Sequence, residues 1–467
     1  MIIGSFLFFL FLFALIGLAS LVKSRNSTSD YLLASQNVKP WLVALSAVAT
    51  NNSGYMFIGM IGYTYMVGLS SIWLMIGWIV GDFIASLFIH KRLRITTENV
   101  NAHSFGGILS HWHSGEDYKR LRFLAGMVTV IFLGTYAAAQ LSAGSKALHV
   151  LFGWDQYAGA VIGAVMVLLY SYAGGIRASI WTDAAQSFVM IIAMIVLLWI
   201  SIDSVGGLEM FGKLLQEVGP HYMAWFPPEL NKSFVNTASF VLGWLFAGFG
   251  VVGQPHIMVR FMAMDNPDNL TRTRVYYYSW FIIFYAVTIG VGLAARILLP
   301  ETAQFDAELA LPTLASNLLP EILIGLVLAG IFAATMSTAD SLILSCSASL
   351  THDFIEKKKH SLLVAKIATA SVVLLALGIA LSGSSSVFSL VLDAWGVLAA
   401  AFAPLLTVYA LGQKPTEGLA IAMLTGGVST LYIWKYFPLL PIYEIAPGII
   451  AGLMIFLVGR ILGYARH

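Results

Sequence analysis

In the stretch Leu328-Ala-Gly-Ile-Phe-Ala-Ala-Thr-Met-Ser-Thr-Ala-Asp-Ser341, the residues Ala334, Ser337, Thr338 and Ser341 recur three or four positions apart. That spacing places them on one face of an α-helix, with Asp340 beside them. Hydroxyls, a carboxylate and freed backbone carbonyls are the ligands a hard cation such as sodium takes. Ser and Thr in an apolar helix also serve close helix packing, or bond back to the preceding turn. Asp340 tips the reading toward an ion path, because an acid at membrane depth is costly and marks function.

Two further places interrupt apolar runs with small and polar residues. One is Ala49-Thr50-Asn51-Asn52-Ser53-Gly54 and the other is Gly248-Phe-Gly-Val-Val-Gly-Gln-Pro255, five expected helices apart. Glycine in a membrane helix also allows close crossing. Broken helices at matching places in two halves point instead to an inverted repeat with its binding site at the midplane.

The elements that must position these residues follow from composition. The chain has 467 residues, 59% hydrophobic and only 10% charged, against roughly 25% charged in ordinary soluble domains. Thirteen runs of about 20 residues or more are expected to span a bilayer, near 2–22, 39–66, 70–93, 122–149, 155–173, 178–203, 233–256, 274–298, 318–349, 361–382, 385–411, 417–437 and 445–465. They leave no room for a separate soluble domain, so residues 1–467 read as one all-α polytopic unit. The first run lacks a basic n-region and a clear cleavage site, and reads as a retained helix. Loops 204–232 and 299–317 have room for short surface helices. With the N-terminus outside and the C-terminus in the cytoplasm, 20 of the 25 Lys and Arg face the cytoplasm, including Lys91, Arg92, Arg94, Lys119, Arg120 and the run Lys357-Lys358-Lys359. Lys146, Lys213, Lys232, Arg296 and Lys435 face outward. That bias fixes the expected orientation.

Several functions are disfavoured. A net charge of +2 without a basic stripe argues against nucleic acid. The single Cys346 rules out an intrachain disulfide. His111-Trp-His113 lacks further ligands for a metal and reads as a loop pair. The sequence shows no nucleophile with a base, P-loop or dinucleotide fingerprint, so the chain reads as no enzyme, with no organic cofactor and no ATP drive. Asp82 and Asp393 are further intramembrane acids that no motif assigns, and pairing with polar neighbours is their simplest role.

The chain resembles the sodium/solute symporters, most closely their bacterial sodium/proline branch. The resemblance rests on Asp30-Tyr-Leu-Leu, Ala44-Leu-Ser-Ala, Ser53-Gly54, Trp181-Thr-Asp-Ala-Ala-Gln186, Gly253-Gln-Pro-His-Ile-Met-Val-Arg-Phe-Met-Ala263, Met336-Ser-Thr338, Ala394-Trp395 and Tyr443-Glu-Ile-Ala-Pro-Gly448, in order over nearly the whole chain. It implies a LeuT-type core of five plus five helices over 39–411, with one leading helix at 2–22 and two trailing helices over 417–465. It implies a sodium site from backbone oxygens of Ala49, Asn52 and Ala334 with the hydroxyls of Ser337 and Thr338. A second sodium site, present in some members, would use Asp183, Ser337, Asp340 and Ser341. Asp183 also suits the start of its helix by dipole alone. For the solute, the resemblance points to Ser53, Tyr55, Tyr136, Trp244 and Gln254, where half-helix ends offer amides to a carboxylate and aromatic faces suit a compact ring.

Four positions depart from the proline branch. Asn51 stands where that branch has an aspartate, Tyr55 where it has a tryptophan, Gln36 where it has an arginine, and Asp340 where it has a small uncharged residue. The expected function is inner-membrane import of a small organic solute, proline or a related amino acid, driven by sodium. Another small carboxylate as cargo and a solute-sensing module without transport are the alternatives. Sodium, the solute and the lipid bilayer are the expected partners, with no obligate protein partner.

Overall fold

In a bilayer every backbone polar group must be satisfied within the chain, so apolar runs become helices. The computed structural model describes residues 1–466 except 114–115, 156, 231–232, 300–304, 356–359 and 383–386. Lys232 and the run Lys357-Lys358-Lys359, which bear on orientation, lie outside the described residues. The helices are α1 (Ile2–Ala19), α2 (Thr28–Leu33), α3 (Pro40–Gly54), α4 (Ile61–Val67), α5 (Ile72–Val100), α6 (Phe105–His111), α7 (Lys119–Phe152), α8 (Ala158–Ser204) and α9 (Leu208–Glu217). After them come α10 (Phe234–Phe249), α11 (Pro255–Met262), α12 (Leu270–Leu298), α13 (Ala310–Leu318), α14 (Glu321–His352), α15 (Leu362–Ser382), α16 (Val387–Ala410), α17 (Glu417–Tyr436) and α18 (Ile445–Ile461).

Nine helical stretches among the described residues are long and apolar enough to cross a membrane. Two of these, 40–100 and 158–204, each contain a pair of the expected spans. Gly68, at φ 73°, divides the first pair, and Gly175, at φ 56°, divides the second. The left-handed conformation is open to glycine without a Cβ penalty. At Gly175 a Cβ would also stand 2.2 Å from the Tyr31 carbonyl. α17 and α18 stand where the two trailing spans are expected, α18 being only 17 residues long. The loop over 299–317 differs from expectation: the described part forms α13, whose Leu311 and Leu314 are fully buried, so it is no surface helix.

α14 lies at the centre, against α3, α7 and α8, and is buried on nearly every face. Its small residues from Ala329 to Ala339 allow those neighbours to approach. α5 and α10 touch backbone to backbone: a Cβ on Gly81 would lie 2.0 Å from the Leu245 carbonyl, and one on Gly248 2.1 Å from that of Trp78. α1 faces lipid with Leu7, Phe8 and Phe11 exposed. The start of α3 and the end of α11 are tied by a short backbone bridge, in which Val38 donates to Ala263 O at 3.1 Å and accepts from Asp265 N at 2.9 Å. Arg94 of α5 caps the same turn by donating to Met264 O at 2.6 Å.

A buried ion pair fixes α2 against the kink in α8. Arg177 Nη2 lies 2.5 Å from Asp30 Oδ1 and also donates to Ala34 O at 2.8 Å. Burial alone would raise the Asp30 carboxyl, but hydrogen bonds from Arg177, the Arg25 amide and Ser35 outweigh it and hold the carboxyl below its usual value. The pair therefore contributes stability above about pH 4 that is lost as the pH falls. Asp30→Asn leaves the Arg177 charge unpaired and is expected to destabilise by about 3–5 kcal/mol. Asp268→Asn, which breaks the exposed Lys91–Asp268 pair, is expected to change stability by less than about 1 kcal/mol. Thermal unfolding of both variants in one detergent checks the contrast.

Candidate functional site

α3 breaks at Ser53, whose φ of 21° and ψ of 178° take the chain out of the helix. The chain resumes through a wide turn over Tyr55–Met60 into α4. Freed backbone groups there meet side chains of neighbouring helices. Gly54 N donates to Gln140 Oε1 of α7 at 2.7 Å, and Thr338 of α14 donates to Thr50 O at 3.0 Å. α10 breaks in the corresponding place, through the tight turn Gly250–Gly253 and an extended Gln254, before Pro255 opens α11. Proline at a helix start lacks only an amide that has no helical partner there.

Of the first expected ion site, Ser337 meets Ala49 and Ala334 at this break, and Thr338 bonds the neighbouring Thr50 carbonyl. Ser337 Oγ lies 3.4 Å from Ala49 O and 3.1 Å from Ala334 O. Asn52 is fully buried, donates its amide to Val48 O at 2.7 Å, and leaves its Oδ1 without a partner. A hydroxyl of α14 thus lies against carbonyls of both α3 and α14, all on buried residues.

The residues of the second expected site also converge, and a further side chain stands among them. Arg260 of α11 points between Asp183 and Asp340, with Nη2 at 3.3 Å and 3.8 Å from their carboxylates. All three side chains are fully buried. Arg260 donates to Ser179 Oγ at 2.7 Å and to Ser46 Oγ at 3.2 Å, and also to Ser341 Oγ. Ser46 passes a hydrogen bond to Asp183 at 2.6 Å, and Ser179 passes one to Asp340 at 2.9 Å. Asp183 Oδ1 and Asp340 Oδ2 have no partner. Two ionised carboxylates against one guanidinium would leave one formal negative charge, which at this depth is neutralised either by a proton or by a bound cation.

Of the residues expected around the solute, Ser53 and Tyr136 are joined by a hydrogen bond of 3.3 Å from the tyrosine hydroxyl. Gln254 donates to Trp395 O at 3.0 Å and keeps Oε1 unpartnered. The His256 ring bridges them, 5.6 Å from Tyr136 and 6.5 Å from Trp395 between centroids. Tyr55 stacks between Phe388 at 5.3 Å and Trp78 at 6.2 Å, and Trp78 lies 4.7 Å from Trp395. The buried Tyr55 hydroxyl has no partner. Trp244 stands against Tyr443 at 5.1 Å and Phe240 at 6.3 Å. Among the described ring pairs, Trp244 meets neither Tyr55 nor Tyr136.

The two unassigned acids differ. Asp393 pairs with Lys435. Asp82 is fully buried, with the Tyr277 and Tyr278 hydroxyls presented to it but no hydrogen bond of full geometry to either oxygen. Tyr277 in turn accepts from the Asn51 amide at 2.6 Å.

The model of the sodium:solute symporter family matches residues 31–426. The chain belongs to that family. Symporters of the family among curated proteins include the sodium/proline symporter of Escherichia coli K12, 32% identical over 460 residues, covering 95% of this chain and 89% of that protein. The high-affinity proline transporter PutP of Bacillus subtilis 168 is 30% identical over 444 residues, covering 92% of each. Among solved structures, a substrate-bound outward-open sodium-coupled sialic acid symporter superposes with a TM-score of 0.82 at 18% identity, over 99% of this chain and 98% of that one. The nucleobase-cation symporter MHP1 gives a TM-score of 0.63 at 14% identity, over 94% and 96%. The shared fold is the LeuT type. This symporter is an integral membrane transporter and not an enzyme, and sodium-coupled movement of a small solute is its activity.

Arg260, Ser46, Ser179, His256 and Trp395 were not among the residues expected at the sites. Four of them lie in motifs that carry the family resemblance, and Ser179 lies one helical turn before Asp183. At the break itself, a Cβ on Gly54 would stand 2.6 Å from Thr335 Cγ2 and 2.9 Å from Gln140 Oε1. Gly54→Ala is therefore expected to destabilise the symporter by about 1–3 kcal/mol. Gly134→Ala, with open space around its Cβ, is expected to be neutral or stabilising by up to about 1 kcal/mol. Thermal unfolding of the two variants side by side checks this.

Proposed function

We propose that this symporter imports proline or a closely related amino acid, coupled to inward sodium movement. The carrying observation is the convergence of Ser337 Oγ on the carbonyls of Ala49 and Ala334 at the break in α3. It supports a sodium site made by backbone oxygens of Ala49, Asn52 and Ala334 and the hydroxyls of Ser337 and Thr338. Closing that site joins α3 to α14, so a bound sodium favours the arrangement in which the broken helix is ready for solute.

The second sodium site is proposed at Asp183, Asp340, Ser341 and Ser337, with Arg260 as a resident positive charge. The arginine balances one carboxylate, and the remaining charge supports one sodium. Asp340 is then what allows a fixed cation and a mobile one in the same place. The solute is proposed to lie by Ser53, Tyr55, Tyr136 and Gln254, with Trp395 and His256 completing the wall and Trp244 lying at its margin. The unpartnered Gln254 Oε1 and Tyr55 hydroxyl offer polar contacts, and the rings offer flat faces to a pyrrolidine or similar ring. Tyr55 in place of tryptophan adds room and a hydroxyl, which favours a somewhat larger or more polar amino acid as the second choice.

Orientation is proposed from the basic residues, with the N-terminus outside and the C-terminus in the cytoplasm of an inner membrane. One sodium crossing about 100 mV supplies about 2.3 kcal/mol, and a tenfold gradient adds about 1.4 kcal/mol. Together these sustain several hundred-fold accumulation per ion, roughly.

Three measurements test the proposal. In proteoliposomes, Ser337→Ala and Thr338→Ala are each expected to raise the sodium concentration for half-maximal uptake about five- to tenfold. Unchanged sodium dependence in both overturns the first site. Asp183→Asn and Asp340→Asn are each expected to lower the sodium moved per solute from two to one, whereas one sodium in the unaltered protein removes the second site. Calorimetry in sodium, across proline, other amino acids and small carboxylates, is expected to give heat with proline that disappears in Tyr136→Ala and Gln254→Ala. Heat from a small carboxylate alone would replace the cargo, and binding without uptake would mark a sensor.

A further inference from the structure

We infer that the groove between α1, the start of α3 and α8 is a binding site for one anionic phospholipid. The groove encloses about 620 Å³. Its walls include Trp41, Trp181 and Phe188, with Trp41 and Phe188 about half exposed on the outer surface of the helix bundle. In a membrane that surface meets acyl chains, and the two indoles suit the depth of the headgroups.

The polar end of the same groove is basic. Lys23 ends the turn after α1, Lys39 precedes the first residue of α3, and Arg177 follows the kink in α8. The Lys23 ammonium sits 5.2 Å from the centre of the Trp181 ring. Among the described residues no carboxylate pairs with Lys23 or Lys39. Arg177 is nearly fully buried and uses Nη2 for Asp30 and Ala34, yet its Nε has no partner. Three cations against the single Asp30 carboxylate leave a surplus of two positive charges beside an unused buried donor.

That combination selects the occupant. A phosphate diester accepts from a guanidinium nitrogen and lies between ammonium groups. A zwitterionic lipid brings an ammonium of its own into an already positive place. A soluble phosphate satisfies the cations and leaves the apolar length of the groove unfilled. An anionic phospholipid such as phosphatidylglycerol meets both halves, with its phosphate by Lys23, Lys39 and Arg177 Nε and a chain along Trp41, Trp181 and Phe188. The position matters for transport, because Lys39 opens the helix that breaks at Ser53, and Trp181 lies two residues from Asp183. A lipid held there fastens the start of α3 to α8.

The test is native mass spectrometry of the purified full chain in detergent, titrated with phosphatidylglycerol and with phosphatidylcholine of the same chains. One phosphatidylglycerol is expected to be retained in preference to phosphatidylcholine. Basic residues near an anionic lipid are worth roughly fivefold each, so Lys23→Gln with Lys39→Gln is expected to cut the preference about twenty-five-fold. Lys23→Arg with Lys39→Arg is expected to preserve it. Glycerol phosphate, the headgroup without chains, is expected not to compete. Equal retention of both lipids by the unaltered protein overturns the proposal without any variant. A preference that survives the double glutamine change, or displacement by glycerol phosphate at equal concentration, also overturns it.

Discussion

A helix that stops inside a bilayer must hand its freed amides and carbonyls to other side chains, and the break in α3 at Ser53 imposes that demand on its neighbours. Gln140 takes the Gly54 amide, Thr338 bonds the Thr50 carbonyl and Ser337 lies against that of Ala49. The polar residues of α14 and α7 are therefore required to keep a broken helix in hydrocarbon. The α14 hydroxyls that do so are also those of the proposed sodium site, where Ser337 is already turned toward the Ala49 carbonyl.

The charges of the centre obey a related constraint. Asp183, Asp340 and Arg260 come from three different helices and none is exposed. No one of them is tolerable alone at that depth. Ser46 and Ser179 stand between arginine and acid, each accepting from the guanidinium and donating to a carboxylate. The relay keeps α3, α8, α11 and α14 in register, so a change of charge at the centre is felt by both broken helices.

Much of this was legible from residue spacing. The hydroxyl face of α14, the two breaks and the acid at 340 are local patterns, and helical periodicity or a run of small residues exposes such patterns directly. What faces each pattern was not legible. Arg260 sits in a stretch recognised for its family likeness, but the reach of its side chain across to Asp183 depends on how α11 is laid against α3 and α8. The same holds for Asn51 bonding to Tyr277, and for Trp395 closing over Gln254. Each joins residues more than a hundred positions apart. α13 was missed as a buried element because a short helix with five buried residues resembles a loop in hydropathy.

The bridge between Val38 and the turn after α11 joins the outer ends of two half-helices that belong to different repeats. A pair of leaves stapled edge to edge cannot be left ajar on one side. Swinging α3 aside at that end drags α11 with it, and Arg94 extends the staple to α5. The ends of the two broken helices are thus joined mechanically, so that a displacement of one is transmitted to the other through two backbone hydrogen bonds.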